Sequence, residues 1–356
     1  MISQGRWIWL LAVGIIMLAA SCAREAGGPG TAGRLTLTGA GATFPYPLYS
    51  KWFDEYSKIE PGVRVNYQSI GSGGGIQQLK AGTVDFGASD APLSDEEEAA
   101  MPGAVVHIPT VAGAVAITYN LPGMSETLRL SPEAIAGIYL GEIKRWRSRQ
   151  IAAINPDARL PDLPIAVSHR SDGSGTTYIF THYLSAVSKP WADRVGAGKS
   201  VAWPVGIGGK GNEGVTGVVK QTPGSIGYVE LAYAVQNGLS YALVRNSAGE
   251  FVEPTVASTT AAAAAAAPTM ARDVRVSIVN AAAPDAYPIA GFTYILVHRD
   301  HRDRARGEAL ATLLDWAIHD GQRFAEPLLY APLPGEIVAI NETALAGLRP
   351  REPAAN

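Results

Sequence analysis

The sequence predicts an α/β protein with two lobes, each built on a mostly parallel sheet flanked by helices. Apolar residues alternate over short stretches and then recur at helical spacing, which indicates strands followed by helices. Glycine, serine and threonine dominate the loops between them. The 356 residues correspond to two domains, at about 100–200 residues per domain. The net charge of −3 and the lack of a basic stripe argue against a nucleic-acid partner.

The first 33 residues are predicted to lie outside the fold. Residues 1–21 have one positive charge and then an apolar run over 7–20, shorter than the roughly 20 residues of a membrane span and typical of a signal peptide. The run ends in LAASC, which resembles a bacterial lipoprotein processing site with Cys22 as the lipidated first mature residue. Ala19 stands where Leu is more usual, and ordinary cleavage nearby is the alternative. Residues 22–33 form a Gly/Pro/Ala-rich tether.

The first lobe is predicted to contain three strand–loop–helix units. The predicted strands are residues 34–38, 63–67 and 84–88, and the loops after them are 39–44, 69–75 and 89–90. The first helix starts near Pro45 or Pro47, with its apolar face on Leu48, Trp52, Phe53 and Tyr56. The second helix covers 76–81, and a capping box of Ser94 and Glu97 begins the third.

The chain is then expected to cross into a second lobe and return. The predicted lobe limits are 34–112 and 287–350 for the first lobe and 113–286 for the second, with a two-segment hinge between them and a tail over 351–356. The predicted elements of this part are a crossing segment at 105–120, strands at 165–169, 226–229 and 288–298, and helices at 131–141, 302–319 and 334–348. A further helix follows residues 170–176, and the alanine run 261–267 is read as a surface helix or spacer that ends at Pro268.

Four loops carry the residues that suggest a function. They contain Thr43-Phe44, Gly71-Ser72-Gly73, Ser89-Asp90 and residues 170–176. Ligands of α/β proteins gather at the carboxyl ends of strands, and helix N-termini offer free amides and a positive dipole end. The loops together supply hydroxyls, amides, one guanidinium and one carboxylate, a set that suits a small tetrahedral oxyanion without a metal or other cofactor.

The same segments resemble those of the periplasmic phosphate-binding proteins, the receptors of high-affinity phosphate ABC transporters. The matching stretches are TGAGATFP at 38–45, IGSGG at 70–74, DFGASDAP at 85–92 and RSDGSGT at 170–176, with GGKGN at 208–212 and IGYVE at 226–230 between the later ones. The resemblance covers about residues 37–334 and excludes the alanine run. It implies a type II periplasmic binding protein fold that closes on one phosphate, works outside the cytoplasm as a monomer and delivers phosphate to permease subunits served by ATPase subunits.

The resemblance also implies a ligand set. The implied phosphate ligands are Thr43, Phe44, Ser72, Asp90, Arg170, Ser174, Gly175 and Thr176, and Asp172 would hold the Arg170 guanidinium. Asp90 is the informative member, because a carboxylate beside an anion is favourable only if that anion carries a proton to share. Phosphate is protonated at neutral pH and sulfate is not, so Asp90 is expected to select phosphate. The alternative for Asp90 is a helix cap before Pro92.

Three other functions remain open at this stage. A receptor for sulfate or molybdate would share the donor loops, but Asp90 argues against it. A phosphate-ester hydrolase would need a nucleophile, and the stretch around Ser89 nearly fits a nucleophile elbow, although Ala91 replaces the last glycine. No histidine has a clear place as its base and no metal motif is present, so no catalytic residue or enzyme activity is expected. A second role in adhesion or signalling is compatible with the sequence.

Overall fold

The computed structural model describes residues 34–270 and 273–348. The predicted signal peptide, Cys22, the tether and the tail lie outside the described residues. The strands are β1 (Leu35–Gly41), β2 (Val63–Ser69), β3 (Phe86–Ser89), β4 (Val105–Tyr119), β5 (Arg129–Leu130), β6 (Ala166–Arg170), β7 (Ile207–Gly209), β8 (Ser225–Glu230), β9 (Ser240–Tyr241), β10 (Leu243–Arg245), β11 (Phe251–Val252) and β12 (Ala290–His298).

Helices fill most of the sequence between these strands. They are α1 (Tyr46–Ile59), α2 (Ser72–Ala81), α3 (Asp95–Ala99), α4 (Pro132–Tyr139), α5 (Arg149–Ala152), α6 (Gly175–Val187), α7 (Lys189–Arg194), α8 (Gly211–Gln221), α9 (Leu231–Gln236), α10 (Val256–Met270), α11 (Arg304–Ile318) and α12 (Gly335–Ala346), with 3-10 turns at Asp320–Phe324 and Glu326–Leu328. None of the helices within the described ranges combines the length and the apolar character that crossing a membrane requires.

The main sheet has the strand order β2-β1-β3-β12-β4-β8-β6-β7. Its outer pairs, β1 with β2 and β3 on one side and β6 with β7 and β8 on the other, are parallel. The pairs in the middle, formed by β4 and β12, are antiparallel. The fold is therefore the mixed α/β architecture that the sequence predicts. Strand β9 pairs with β4, and β11, β10 and β5 form a small separate sheet that the sequence analysis did not predict.

Strand β4 belongs to both lobes. Its residues up to Ala114 pair with β12, whereas Val115 and the residues after it pair with β8. We call β1, β2, β3, β12 and residues 105–114 of β4 the first half-sheet, and β6, β7, β8 and residues 115–119 the second half-sheet. The protein is thus two-lobed, with one half-sheet in each lobe.

The helix α1 shows how sequence patterning produces the packing. Proline lies in its first turn, where the missing N–H costs nothing. The predicted apolar positions are all buried. Phe53 contacts Tyr67 of β2 and Phe86 of β3, whereas Tyr56 contacts Trp316 of α11. The helix therefore anchors the loop that precedes it, which carries Thr43 and Phe44. The predicted capping box at Ser94 and Glu97 is also confirmed.

Two helix predictions are wrong in their limits. Helix α2 begins at Ser72 rather than at residue 76, even though glycine is a poor helix former. Close packing explains the glycines, because a Cβ on Gly75 would lie 2.4 Å from the Ala40 carbonyl oxygen. Helix α10 starts at Val256 and continues past Pro268, and Ala262 and Ala263 are fully buried, so the alanine run is more than a surface spacer.

Candidate functional site

Strand ends and helix starts position the predicted anion-binding residues. Thr43 and Phe44 follow β1, Asp90 follows β3, and Arg170 is the last residue of β6. Ser72 and Gly175 are the first residues of α2 and α6. Parallel strands present their carboxyl ends at one edge, and this shared direction brings the loops of each half-sheet to the same edge.

Hydrogen bonds connect residues of the two half-sheets directly. The Ser72 hydroxyl accepts from the Asp90 amide at 3.3 Å and from the Gly175 amide at 3.0 Å. The Gly73 amide donates to the Gly173 carbonyl at 2.8 Å. The predicted site residues Thr43, Ser72, Asp90, Arg170, Ser174 and Thr176 are all at least 97% buried. The structure therefore brings loops of both lobes together in one closed cleft.

Arg170 is held in a fixed orientation. Its Nε and Nη2 atoms donate to the two carboxylate oxygens of Asp172 at 2.8 and 2.5 Å, as predicted for Asp172. Asp172 also accepts from the Gly211 amide at 3.0 Å. Burial alone would raise the pKa of Asp172, but the Arg170 hydrogen bonds outweigh it and hold this pKa below its usual value. The Arg170 Nη1 atom is not used by Asp172 and donates to the Thr176 hydroxyl at 3.3 Å.

Asp90 is a buried carboxyl group with an altered acidity. Burial raises its pKa to about 7, against the opposing effects of the Thr293 hydrogen bond and the Arg170 charge. The Thr293 hydroxyl donates to its Oδ1 atom at 2.8 Å. Near neutral pH this group can therefore either hold or accept a proton, which suits an exchange of hydrogen bonds with a protonated anion.

Some backbone amides of the site have no hydrogen-bond acceptor among the described residues, whereas others are already paired. Those of Phe44 and Ser72 have no acceptor within residues 34–270 and 273–348, which leaves them available for an anion. The Ser174 amide donates to the Lys199 carbonyl at 2.9 Å, and its hydroxyl caps α6 by accepting from Thr177. Ser174 therefore offers only its hydroxyl hydrogen to a ligand.

Three residues without a predicted role support the Thr43-Phe44 loop. The Asn212 side chain donates to the Thr43 hydroxyl at 2.7 Å. The Tyr233 hydroxyl donates to the Thr43 carbonyl at 2.6 Å, and the Tyr330 hydroxyl donates to the Phe44 carbonyl at 2.7 Å. Only Asn212 carried a signal, since it lies in the GGKGN stretch that opens α8.

Glu230 is the second carboxyl group buried near this loop. It caps α9, and its Oε2 atom accepts from the Ala232 amide at 2.9 Å and lies 3.1 Å from the Tyr330 hydroxyl. Its Oε1 atom is buried without a partner among the described residues. Burial raises the pKa of Glu230 well above its usual value.

The geometry gives no support to a nucleophile or a metal site. The Ser89 hydroxyl is fully buried, donates to the Ala91 carbonyl at 2.5 Å and accepts from the Ala91 amide. His169 stacks on Trp203 with 4.8 Å between the ring centroids, which is a packing role. Across the described ranges, no cluster of three or more His, Cys, Asp or Glu side chains could hold a metal ion.

Comparison with known proteins identifies the family. Residues 26–320 match the model of the PBP superfamily domain. The chain is 46% identical over 303 residues to the phosphate-binding protein PstS of Xylella fastidiosa, covering 85% of this chain and 82% of that protein. It is 47% identical over 304 residues to PstS of Pasteurella multocida, covering 85% and 88%.

A solved structure supports the fold. The high-affinity periplasmic phosphate-binding protein PfluDING, solved with bound phosphate, superposes with a TM-score of 0.70 at 22% identity, over 87% of this chain and 93% of that chain. The chain therefore belongs to the PBP superfamily and, within it, to the family of the phosphate-binding protein PstS.

Proposed function

We propose that this protein is an extracytoplasmic receptor that binds inorganic phosphate in the cleft between its lobes and delivers it to an ABC importer. The observation that carries the proposal is the buried carboxyl group of Asp90 among hydrogen-bond donors from both half-sheets. An anion site has no use for a carboxylate unless the anion brings a proton. The names of the 45–47% identical relatives support the same ligand.

The proposed ligands divide by chemistry. Arg170 supplies charge-assisted hydrogen bonds, and Asp172 fixes its orientation. The remaining donors are proposed to be amides and hydroxyls of Thr43, Phe44, Ser72, Ser174 and Thr176. Gly175 is proposed to share with the anion the amide hydrogen that it also donates to the Ser72 hydroxyl. Because Arg170 is already paired with Asp172, neutral dipoles provide most of the stabilisation of the bound anion.

The proposed selectivity follows from Asp90. An ionised Asp90 accepts a hydrogen bond from protonated phosphate, whereas sulfate has no proton to give at neutral pH. A buried acceptor left without a donor costs about 1–3 kcal/mol, and more when it is charged. A sulfate or molybdate receptor is therefore disfavoured, and the buried Ser89 hydroxyl gives a hydrolase no nucleophile.

Titration calorimetry of the mature chain tests this function. We expect a phosphate dissociation constant near or below about 1 µM, which corresponds to roughly 8 kcal/mol. At a pH of about 8.5, where Asp90 is ionised, arsenate, which still carries a proton, should compete in part, and sulfate should not. Millimolar phosphate binding would contradict the proposal. A chromogenic phosphate ester serves as a second probe, and turnover of that ester would indicate an enzyme instead.

The remaining proposals concern the setting of the receptor. We propose that it is a monomer exported by residues 1–21, anchored through lipidated Cys22 and held off the membrane by residues 22–33. The lobes are proposed to span residues 34–112 with 287–350, and 113–286. Their partners are proposed to be the permease subunits of a phosphate transporter, with its ATPase subunits behind them. Strand β4 pairs with β12 up to Ala114 and with β8 from Val115, which supports a lobe limit near residue 112.

A further inference from the structure

The side chain of Asn212 contacts two of the proposed phosphate ligands at once. It is fully buried at the start of α8, in the second lobe. Its Nδ2 atom donates to the Thr43 hydroxyl at 2.7 Å and to the Thr176 hydroxyl at 3.3 Å. Thr43 belongs to the first lobe and Thr176 to the second. One amide group therefore joins anion-binding residues across the cleft.

These contacts determine where the Thr43 hydroxyl hydrogen can point. A hydroxyl group has one hydrogen to donate and two lone pairs that accept. The Thr43 oxygen accepts from Nδ2 and, at 3.2 Å, from the backbone amide of Asn212. Both lone pairs are therefore used by N–H donors. The remaining hydrogen must be donated elsewhere, and the anion cleft is where Thr43 is proposed to use it.

Thr176 and Ser72 follow the same rule. The Thr176 oxygen accepts from Arg170 Nη1 at 3.3 Å as well as from Asn212. The Ser72 oxygen accepts from the amides of Asp90 and Gly175. Because N–H donors occupy the lone pairs of both hydroxyl oxygens, each hydroxyl can only donate its hydrogen, and an anion requires a donor.

The orientation of the Asn212 amide is itself determined by a neighbour. Its Oδ1 atom accepts from the Glu230 backbone amide at 3.0 Å. The flipped side chain would place its NH₂ group against this N–H donor, which excludes it. The NH₂ group of Asn212 therefore faces the threonine hydroxyls.

We propose that Asn212 is a positioning residue, which orients the Thr43 hydroxyl as a phosphate donor when the lobes are closed. The inference rests on the proposed function. Because Asn212 and Thr43 lie in different lobes, opening the cleft separates them and frees the Thr43 hydroxyl to rotate. Closure and donor orientation are thus coupled through one amide, so loss of that amide should act mainly on the rate of phosphate release.

A double-mutant cycle tests the proposal. Asn212→Leu removes the donors at similar size, Thr43→Val removes the hydroxyl, and the double variant completes the cycle. Asn246→Leu is the matched control, since Asn246 is also buried and bonded through both side-chain atoms, but only to loop backbone at 248–250 and 283–286. Phosphate dissociation constants come from titration calorimetry, release rates from stopped-flow tryptophan fluorescence, and Tm values from calorimetry.

We expect Asn212→Leu to weaken phosphate binding about tenfold or more in the native background, mainly through faster release, and about threefold or less in the Thr43→Val background. Asn246→Leu should lower the Tm and leave phosphate affinity unchanged. Equal losses in both backgrounds, or no loss in either, would overturn the inference alone. Native protein that fails to bind phosphate would overturn the proposed function as well. If Asn212→Leu does not fold, Asn212→Ser is judged by the same criteria.

Discussion

Asp90 shows how burial changes the chemistry of a single residue. The carboxyl group is 3% exposed, and its pKa of about 7 results from this burial, with Thr293 and Arg170 acting against it. An ordinary surface aspartate would be ionised throughout the physiological range. Asp90 instead titrates near neutrality, where phosphate titrates too. In the proposed complex, the carboxylate and the anion therefore share a single proton.

Substitution of Asp90 tests its role in selectivity. In Asp90→Ala the carboxylate that repels sulfate is gone, so we expect sulfate to compete at least about tenfold more strongly. Phosphate affinity should fall less than that, because the donors from both lobes remain. Competition calorimetry with the two anions measures both changes. Complete exclusion of sulfate by this variant would show that selectivity has another source.

The pKa of Asp90 also predicts a pH dependence. Above pH 7 the group is ionised and rejects sulfate, whereas below pH 7 it becomes protonated and can donate to a sulfate oxygen. Sulfate competition should therefore strengthen as the pH falls from about 8.5 to 6. Asp90→Asn is the control, since its amide does not titrate and its sulfate competition should stay constant over this range. Native protein with a flat profile would contradict the assignment.

At the scale of elements, the site depends on three helix starts. The first turns of α2, α6 and α8 carry Ser72, Gly175 and Asn212, and all three converge on the cleft. Each helix follows a strand of one of the half-sheets, so the strands fix where the helices begin. Glycine next to Ser72 lets the backbones of the two lobes come close together, since Gly73 lies against Gly173 across the cleft.

An ion pair closes the cleft beside these elements. Lys199 Nζ lies 2.7 Å from Glu97 Oε2, with side chains 17% and 27% exposed. Glu97 belongs to the capping box of α3 in the first lobe, and the Lys199 carbonyl accepts from the Ser174 amide in the second. The pair thus joins the two lobes next to a proposed ligand.

We expect Lys199→Met to weaken phosphate binding about two- to fivefold, in line with the roughly 0.5–1 kcal/mol of partly exposed pairs. The loss should shrink at high salt, because salt already screens the native pair. Lys189→Met is the control, because Lys189 pairs with Asp193 within α7 only. Calorimetric titrations at low and high salt measure the phosphate affinities. Equal losses of affinity in the two variants would contradict a role of the Lys199–Glu97 pair in closure.

The whole molecule is organised for closure around β4. Its two halves pair with β12 and β8, so the half-sheets share one strand and β12 returns the chain to the first. Opening of the lobes must break the contacts of Asn212 with Thr43 and of Ser72 with Gly175. The free energy of phosphate binding must exceed the free-energy cost of closing the lobes. A ligand that binds the closed form more tightly shifts the population toward that form.

The proposed membrane anchoring concerns the whole chain and has its own test. If Cys22 is lipidated, the native protein expressed in a bacterial host should fractionate with membranes and incorporate labelled palmitate. Cys22→Ser should remove the label and release the protein to the soluble fraction, with phosphate affinity unchanged, since none of the proposed phosphate ligands belongs to residues 22–33. Native protein without label would instead favour ordinary signal cleavage.

The sequence by itself determined the α/β class, most helices and strands, and the loops that meet in the cleft. These features are local: a strand ending in Gly, Ser or Thr, a helix starting next to it, and Asp172 two residues from Arg170. Their physical causes act within a few residues, through turn geometry, capping and side-chain periodicity. The limits of α2 and α10 were missed because packing outweighed the weak helix propensity of glycine and proline.

Only the tertiary structure decided how the site is supported and charged. Asn212 meets Thr43 across 169 residues of sequence, Tyr330 meets Phe44 across 286, and Lys199 meets Glu97 across 102. The pKa of Asp90 depends on its burial under both lobes. No local pattern encodes such contacts, because they arise only when the folded chain brings the loops of the two half-sheets together.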